Sequence, residues 1–177
     1  MVQLLTKSRN RRVLTIIIFF LFAVTITVIG TVFPLTPKQI TDDNNQLTQT
    51  QQSITEMDIP NRFAAIFQNN FTICLLMFIP IVGIFIGGTA LFTTGNFIQA
   101  QSLTHNASPL LVLFFLFIFP FTWLEFIAYS TAFSESFWII RRGSQGIWRR
   151  EIINLCKLIL VAAGLLAAGA LIESLLL

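Results

Sequence analysis

Hydrophobic and polar positions fall into long blocks along this chain rather than into short alternations. A polar, basic head over residues 1–12 gives way to an apolar run from Val13 to Phe33. That run is close to the length of about 20 residues with which a helix crosses a hydrocarbon core. It is too long for the apolar part of a signal peptide, so it reads as an uncleaved anchor. Pro34 and Pro37 stop it. Residues 34–70 then read as a polar outer loop followed by an interfacial segment. Leu35 to Pro60 is rich in Asn, Gln and Thr, with one Lys against four acids. So little apolar content predicts a mobile loop, or a short helix ordered only by a partner. From Ile59 to Asn70, Phe63, Ile66 and Phe67 form an apolar stripe beside Arg62, Gln68 and Asn69. That pattern suits a segment lying in the interface, or a plain extension of the next helix.

Residues 71–177 form the helical core of this reading. Phe71 to Phe92 is a second span kinked at Pro80, and Thr93-Thr94-Gly95-Asn96 a turn. The stretch from Asn96 to Ser108 is polar, while Leu110 to Phe119 is apolar but too short to cross alone. After a break at Pro120, Phe121 to Ile140 is again long enough, and a last span covers about residues 151–173. Either residues 98–119 make a full span, or Leu110 to Phe119 is a re-entrant half-helix. Charge parity decides between them. Arg11 and Arg12 flank the first span, and Arg141, Arg142, Arg149 and Arg150 follow the fourth. Basic flanks stay in the cytoplasm, which requires an even number of crossings between the clusters. The expectation is an all-α, polytopic transmembrane bundle of five spans, N-terminus inside and C-terminus outside, in the cytoplasmic membrane.

Composition agrees with this and narrows the chemistry. The chain is 55% hydrophobic and 11% charged, with a mean hydropathy of +0.78, whereas a soluble domain carries about 25% charged residues. The net charge of +3 sits at the membrane flanks, so it reads as topology signals and headgroup anchors rather than as a nucleic-acid surface. Cys74 and Cys156 lie in apolar runs and read as free, buried thiols. There is one histidine, His105, and no cluster with ligand spacing, phosphate loop or nucleophile elbow. Neither a metal nor a cofactor is predicted, nor a catalytic site; the expected partners are the bilayer and other membrane subunits.

Carboxylates inside a membrane are expensive, so each is a candidate. Glu125, Ala128, Ala132 and Glu135 fall within about 80° of one another on a helix, an acidic, small-residue stripe turned toward the bundle. It is a proton or cation relay, or a set of packing contacts. Glu173 falls at the outer interface, and His105 makes a polar patch with Gln101 and Asn106. Gly83 and Gly87 form a small-xxx-small face on which another helix backbone can come close.

Asn70, Gly83, Gly87, Gly95-Asn96, Pro120, Glu125 and Glu173 together make a pattern that resembles the stage II sporulation protein M family of integral membrane proteins. The resemblance covers roughly residues 60–177. It departs at the family's Pro-His-Gly signature, where Phe121 and Thr122 follow Pro120. It implies a helical membrane protein acting as a scaffold for partners; the sporulation role does not carry over with the fold. The first expectation is therefore a non-catalytic scaffold or accessory subunit of a larger membrane complex. A membrane oxidase or monooxygenase, such as the archaeal ammonia-oxidising type, is one such host, although no residue demonstrates it. The alternative is a small transporter or channel component using Pro120, Glu125 and Glu135, as broken helices serve in many transporters.

Overall fold

Every element of the computed structural model is an α-helix, and among the described residues there is no strand. The structure describes residues 2–143 and 148–177, with side chains over 10–142 and 152–177. The helices are α1 (Val2–Val32), α2 (Pro37–Thr55), α3 (Ile59–Met77), α4 (Val82–Thr104), α5 (Pro109–Leu116), α6 (Pro120–Gly143) and α7 (Trp148–Leu176). Two of them, over Asn10–Val32 and Ile152–Leu176, are long and apolar enough to cross a membrane. A third is added if α5 and α6, bent by 87° at Pro120, count as one broken span. By that measure the described helices give two or three candidate spans where five were expected. Arg62, Asn69 and Asn70 on α3, and Asn96, Gln99 and Gln101 on α4, make those two helices more polar than a lipid-facing span.

Several expected boundaries move, each for a local reason. Of the two alternatives for the polar stretch after Pro34, it is the helix that forms, as α2, and it packs on the chain's own α4 rather than on a partner. Thr36 and Gln39 form a reciprocal capping box with Pro37 in the first turn, the arrangement that satisfies otherwise orphaned N–H groups. Ile40, Leu47 and Ile54, seven residues apart, give α2 one half-buried line, and α2 packs mainly on α4. Ile59 to Asn70 belongs to α3 as a plain helix extension.

The expected kink at Pro80 is a complete break. Val82 N donates to Pro80 O at 2.8 Å across Ile81, whose φ of 67° and ψ of −64° make a γ-turn, a rare and strained geometry for a β-branched residue. Nor is Gly95-Asn96 a turn: it lies within α4. A Cβ on Gly95 would come within 2.7 Å of Thr31 N and 2.8 Å of Gly30 C, so this glycine lets the α4 backbone rest directly on α1. Residues 98–119 are not one span. Asn106, with φ 53°, ends α4 in a Schellman motif: Ala107 N donates to Ser102 O at 2.8 Å and Asn106 N to Leu103 O at 3.2 Å. Pro109 then starts the eight-residue α5. The corner to α6 is braced where Thr122 Oγ1 and Trp123 Nε1 each donate at 2.7 Å, to Leu116 O and Phe117 O, carbonyls that a helix end leaves without partners.

α6 lies at the centre. It packs on α7, α1 and α3, and α1 packs on α4. Ala128, Ala132 and Phe133 on α6 are fully buried with Ala23, Cys74, Met77, Ala162 and Leu166 from the surrounding helices. Small residues on α6 and α7 bring the backbones together; Phe19, Phe22 and Phe133 fill the space beside them with ring centroids 5.9–6.1 Å apart.

Candidate functional site

The expected polar positions separate into two sites at opposite ends of α6. Near its start, Asn70 of α3 donates through Nδ2 to Glu125 Oε1 at 2.6 Å. Glu173 of α7 lies near enough to act electrostatically on Glu125, and both carboxyls line one cavity of about 570 Å³. Gly169 of α7 brings its backbone beside Glu125; a Cβ there would lie 3.9 Å from Glu125 Cγ. Apolar walls come from Ile66, Ile73 and Met77 of α3, Leu91 of α4, and Phe121 and Phe126 of α6. Leu47, Thr50, Ser53 and Ile54 of α2 close one side. Thr50, Ser53 and Asn69 on its rim are exposed, so the cavity reaches the surface.

Arg62 holds that rim. Its guanidinium donates to Ile54 O at 3.2 Å, Thr55 O at 2.7 Å, Met57 O at 3.1 Å and Ser174 O at 3.2 Å. One side chain therefore ties the end of α2 and the end of α7 to the start of α3. Helix ends expose carbonyls that need donors, and the planar fork of arginine reaches several at once.

At the other end, Arg12 of α1 forms a salt bridge with Glu135 of α6, whose side chain is 1% exposed. Thr15 Oγ1 donates to Arg12 O at 2.8 Å, accepts from Trp138 Nε1 at 2.9 Å and lies 2.8 Å from Ser134 Oγ. The guanidiniums of Arg12, Arg141 and Arg142 lie 5.6, 5.7 and 4.9 Å from the Trp138 ring centre, within cation–π range. Both basic clusters thus meet at one end. Arg11 is exposed there, and the side chains of Arg149 and Arg150 fall outside the described residues.

Asn70, Glu125 and Glu173 thus come together, although 55 residues separate the first two. Glu125 and Glu135 do not: ten residues of helix, about 15 Å, lie between them, and each has its own partners. The stripe of Glu125, Ala128, Ala132 and Glu135 does face the bundle, but it serves two sites rather than one relay. His105 is the exposed C-cap of α4 and belongs to neither. Asn96 and Gln99 are turned inward on α4, each with a buried side-chain oxygen that finds no hydrogen-bond partner among the described residues. Gly83 faces the end of its own hairpin, where a Cβ would come 2.7 Å from Leu76 O; Gly87 admits the Phe133 ring and Met77. Neither glycine therefore receives a single partner helix. Pro120 opens α6 at the corner below the cavity.

Tyr129 and Gly30 have no place in the sequence pattern, and Arg62 enters it only as a polar neighbour of the α3 stripe. Tyr129 stands four residues after Glu125, on the same helix face, a spacing that could have found it. Gly30 has no such signal, because its importance comes from Gly95, which meets it from another helix. No family model, curated protein or solved structure matches the chain. The likeness to the stage II sporulation protein M family therefore stands on the residues quoted for it alone.

Proposed function

We propose that the chain is a multi-pass component of the cytoplasmic membrane whose acidic cavity binds a small cationic solute, as a small permease or channel component. The observation that carries this is the cavity shared by Glu125 and Glu173, with Asn70 bound to the first. Carboxylates within a membrane bundle are costly and mark ion and substrate paths, and cavities between the helices of a bundle are usual ligand sites. No catalytic step is assigned to it.

Five crossings fit this reading with a different segmentation: α1, α3, α4, α6 and α7. Arg12 and Glu135 bring the two basic clusters to one end, which the positive-inside rule makes cytoplasmic. Ser136 Oγ donates to Ile79 O at 3.1 Å, so the α3–α4 break lies near that same end. In this arrangement α2 and the cavity mouth face outward, and α5 lies across the outer side.

Solid-supported membrane electrophysiology on reconstituted protein tests the reading. Jumps in sodium, potassium, ammonium and alkylammonium chlorides should give a charge displacement for at least one cation. Glu125→Gln and Glu173→Gln should abolish it at unchanged protein density. No displacement with any cation removes the proposal.

A second reading keeps the accessory-subunit role. An apolar groove of about 410 Å³ between α1 and α4, bordered by Phe22, Ile26, Phe85 and Phe92 with Gly88 among them, supports it. Its mark would be stoichiometric comigration with one complex after mild extraction from native membranes; a lone monomer or homo-oligomer would end it.

A further inference from the structure

Tyr129 is the chain's single tyrosine, lines the acidic cavity and is 7% exposed. Its hydroxyl has no hydrogen-bond partner among the described residues. The hydroxyl is not one of the fully enclosed side-chain oxygens without a partner, so it stands open to the cavity, free to bond a ligand there. The same cavity holds the Glu173 carboxyl, which accepts no hydrogen bond from the described residues, and Glu125, one of whose oxygens takes the Asn70 amide. Three oxygen groups from α6 and α7 thus line a space whose remaining walls are mostly hydrocarbon.

We infer that the cavity takes a primary ammonium group carried on an apolar body, with Glu125, Glu173 and Tyr129 as its three acceptors; this rests on the cation-binding reading above. The stoichiometry favours it. A primary ammonium has three N–H donors and no acceptor. Thr50, Ser53, Asn69 and Thr94 of the lining are exposed and the Asn70 oxygen takes the Asn69 amide, which leaves Glu125, Glu173 and Tyr129 as three acceptor groups away from the rim. One ionised carboxyl matches the single positive charge, and the other accepts a hydrogen bond while protonated. The Asn70 amide, by occupying one oxygen of Glu125, fixes which oxygen is left for the ligand.

Size and wall chemistry separate this ligand from a bare ion. A hard metal cation takes about six to eight oxygens in a close shell. No group of three or more His, Cys, Asp or Glu side chains among the described residues is placed to hold one. The cavity, at about 570 Å³, is in the range of about 300–1,000 Å³ found for small organic ligands. Ile66, Ile73, Met77 and Phe126 give it the apolar surface that such a ligand's body would cover, and that an ion would leave unused.

Isothermal titration calorimetry on the full chain in lipid nanodiscs tests the inference. The probes are benzylammonium, ammonium, sodium and potassium chlorides, with benzyl alcohol as the neutral analogue. Benzylammonium should bind at least about tenfold more tightly than any of the others. Tyr129→Phe, which removes one oxygen and keeps the ring, should weaken it by about threefold to tenfold. Glu173→Gln, at a half-buried position, should weaken it by about tenfold or more, so the test survives even if Glu125→Gln fails to fold. Sodium or potassium binding as tightly as benzylammonium overturns the inference and leaves a cation-binding cavity standing. Benzyl alcohol binding as tightly also overturns it, since the cavity is then simply apolar. No binding of any cation overturns both readings.

Discussion

Asn70 Nδ2 and Glu125 Oε1 meet at 2.6 Å across the contact between α3 and α6, the closest polar link between those two helices at the cavity. A carboxyl in such surroundings needs a donor, and Asn70 is the described residue that supplies one. Replacing it by Ala leaves Glu125 without that bond, whereas Glu125→Gln keeps an acceptor facing the amide. Asn70→Ala should therefore lower stability by about 1–2 kcal/mol, and Glu125→Gln by less. Thermal unfolding of the detergent-solubilised variants gives the order; the reverse order would show that Glu125, not its donor, holds the contact.

The two glycines at the α1–α4 crossing make a sharper case. Gly30 and Gly95 face each other so closely that a Cβ on Gly30 would come 3.2 Å from Gly95 Cα, with backbone atoms of Phe92 nearer still. Backbone cannot swing aside as a side chain can. Gly95→Val and Gly30→Val should each cost about 3 kcal/mol or more, seen as loss of the monodisperse peak in size-exclusion chromatography. Gly164, with nothing within 4 Å of its Cβ position, is the control: Gly164→Val should elute as the parent does.

That crossing also shows what sequence can carry. The apolar blocks announce helices, and the inward stripe of Glu125, Ala128, Ala132 and Glu135 follows from helical periodicity alone. Asn70, Glu125 and Glu173 were legible as unusual residues, but their meeting was not, since nothing in one chain states which helices touch. The punctuation was harder. Gly95-Asn96 has the composition of a turn, yet Gly95 serves a close approach to α1; Pro80 looks like a kink and marks a complete break between two helices. Glycine and proline report that the backbone does something special, while the neighbouring helix decides what. α2 was only half legible: its Thr36-to-Gln39 capping box is a strong local start signal, but its polar composition left a mobile loop as the alternative, and its packing on α4 is not written in the stretch itself.

The altered segmentation can be read out directly. In a background with Cys74 and Cys156 replaced by Ala, single cysteines at Ile81, Asn96 and Asn106 should respond differently to a membrane-impermeant maleimide. Ile81, 60% exposed at the γ-turn, should label from the side that carries Arg141. Asn106, beyond the end of α4, should label from the side that carries Lys38, and Asn96, inside the α1–α4 contact, from neither. Labelling of Asn96 from the Arg141 side would restore a turn at that position and remove the α3–α4 hairpin from the membrane path.

The last prediction concerns Arg62, whose four carbonyl contacts join three helix ends at the cavity rim. No residue of α2 is fully buried, so α2 depends on its half-buried line against α4 and on this guanidinium. Arg62→Lys keeps the charge but loses the planar fork and can satisfy fewer carbonyls; Arg62→Ala loses them all. Amide hydrogen exchange should quicken across Ile54 to Met57 by at least about tenfold in Arg62→Ala, a local loss of about 1.4 kcal/mol. Arg62→Lys should fall between it and the parent. The core amides of α6 should be unchanged, because Ala128, Ala132 and Phe133 are packed away from the rim. Uniform quickening through α6 would instead make Arg62 a general stabiliser of the bundle rather than the tie that holds α2 over the cavity.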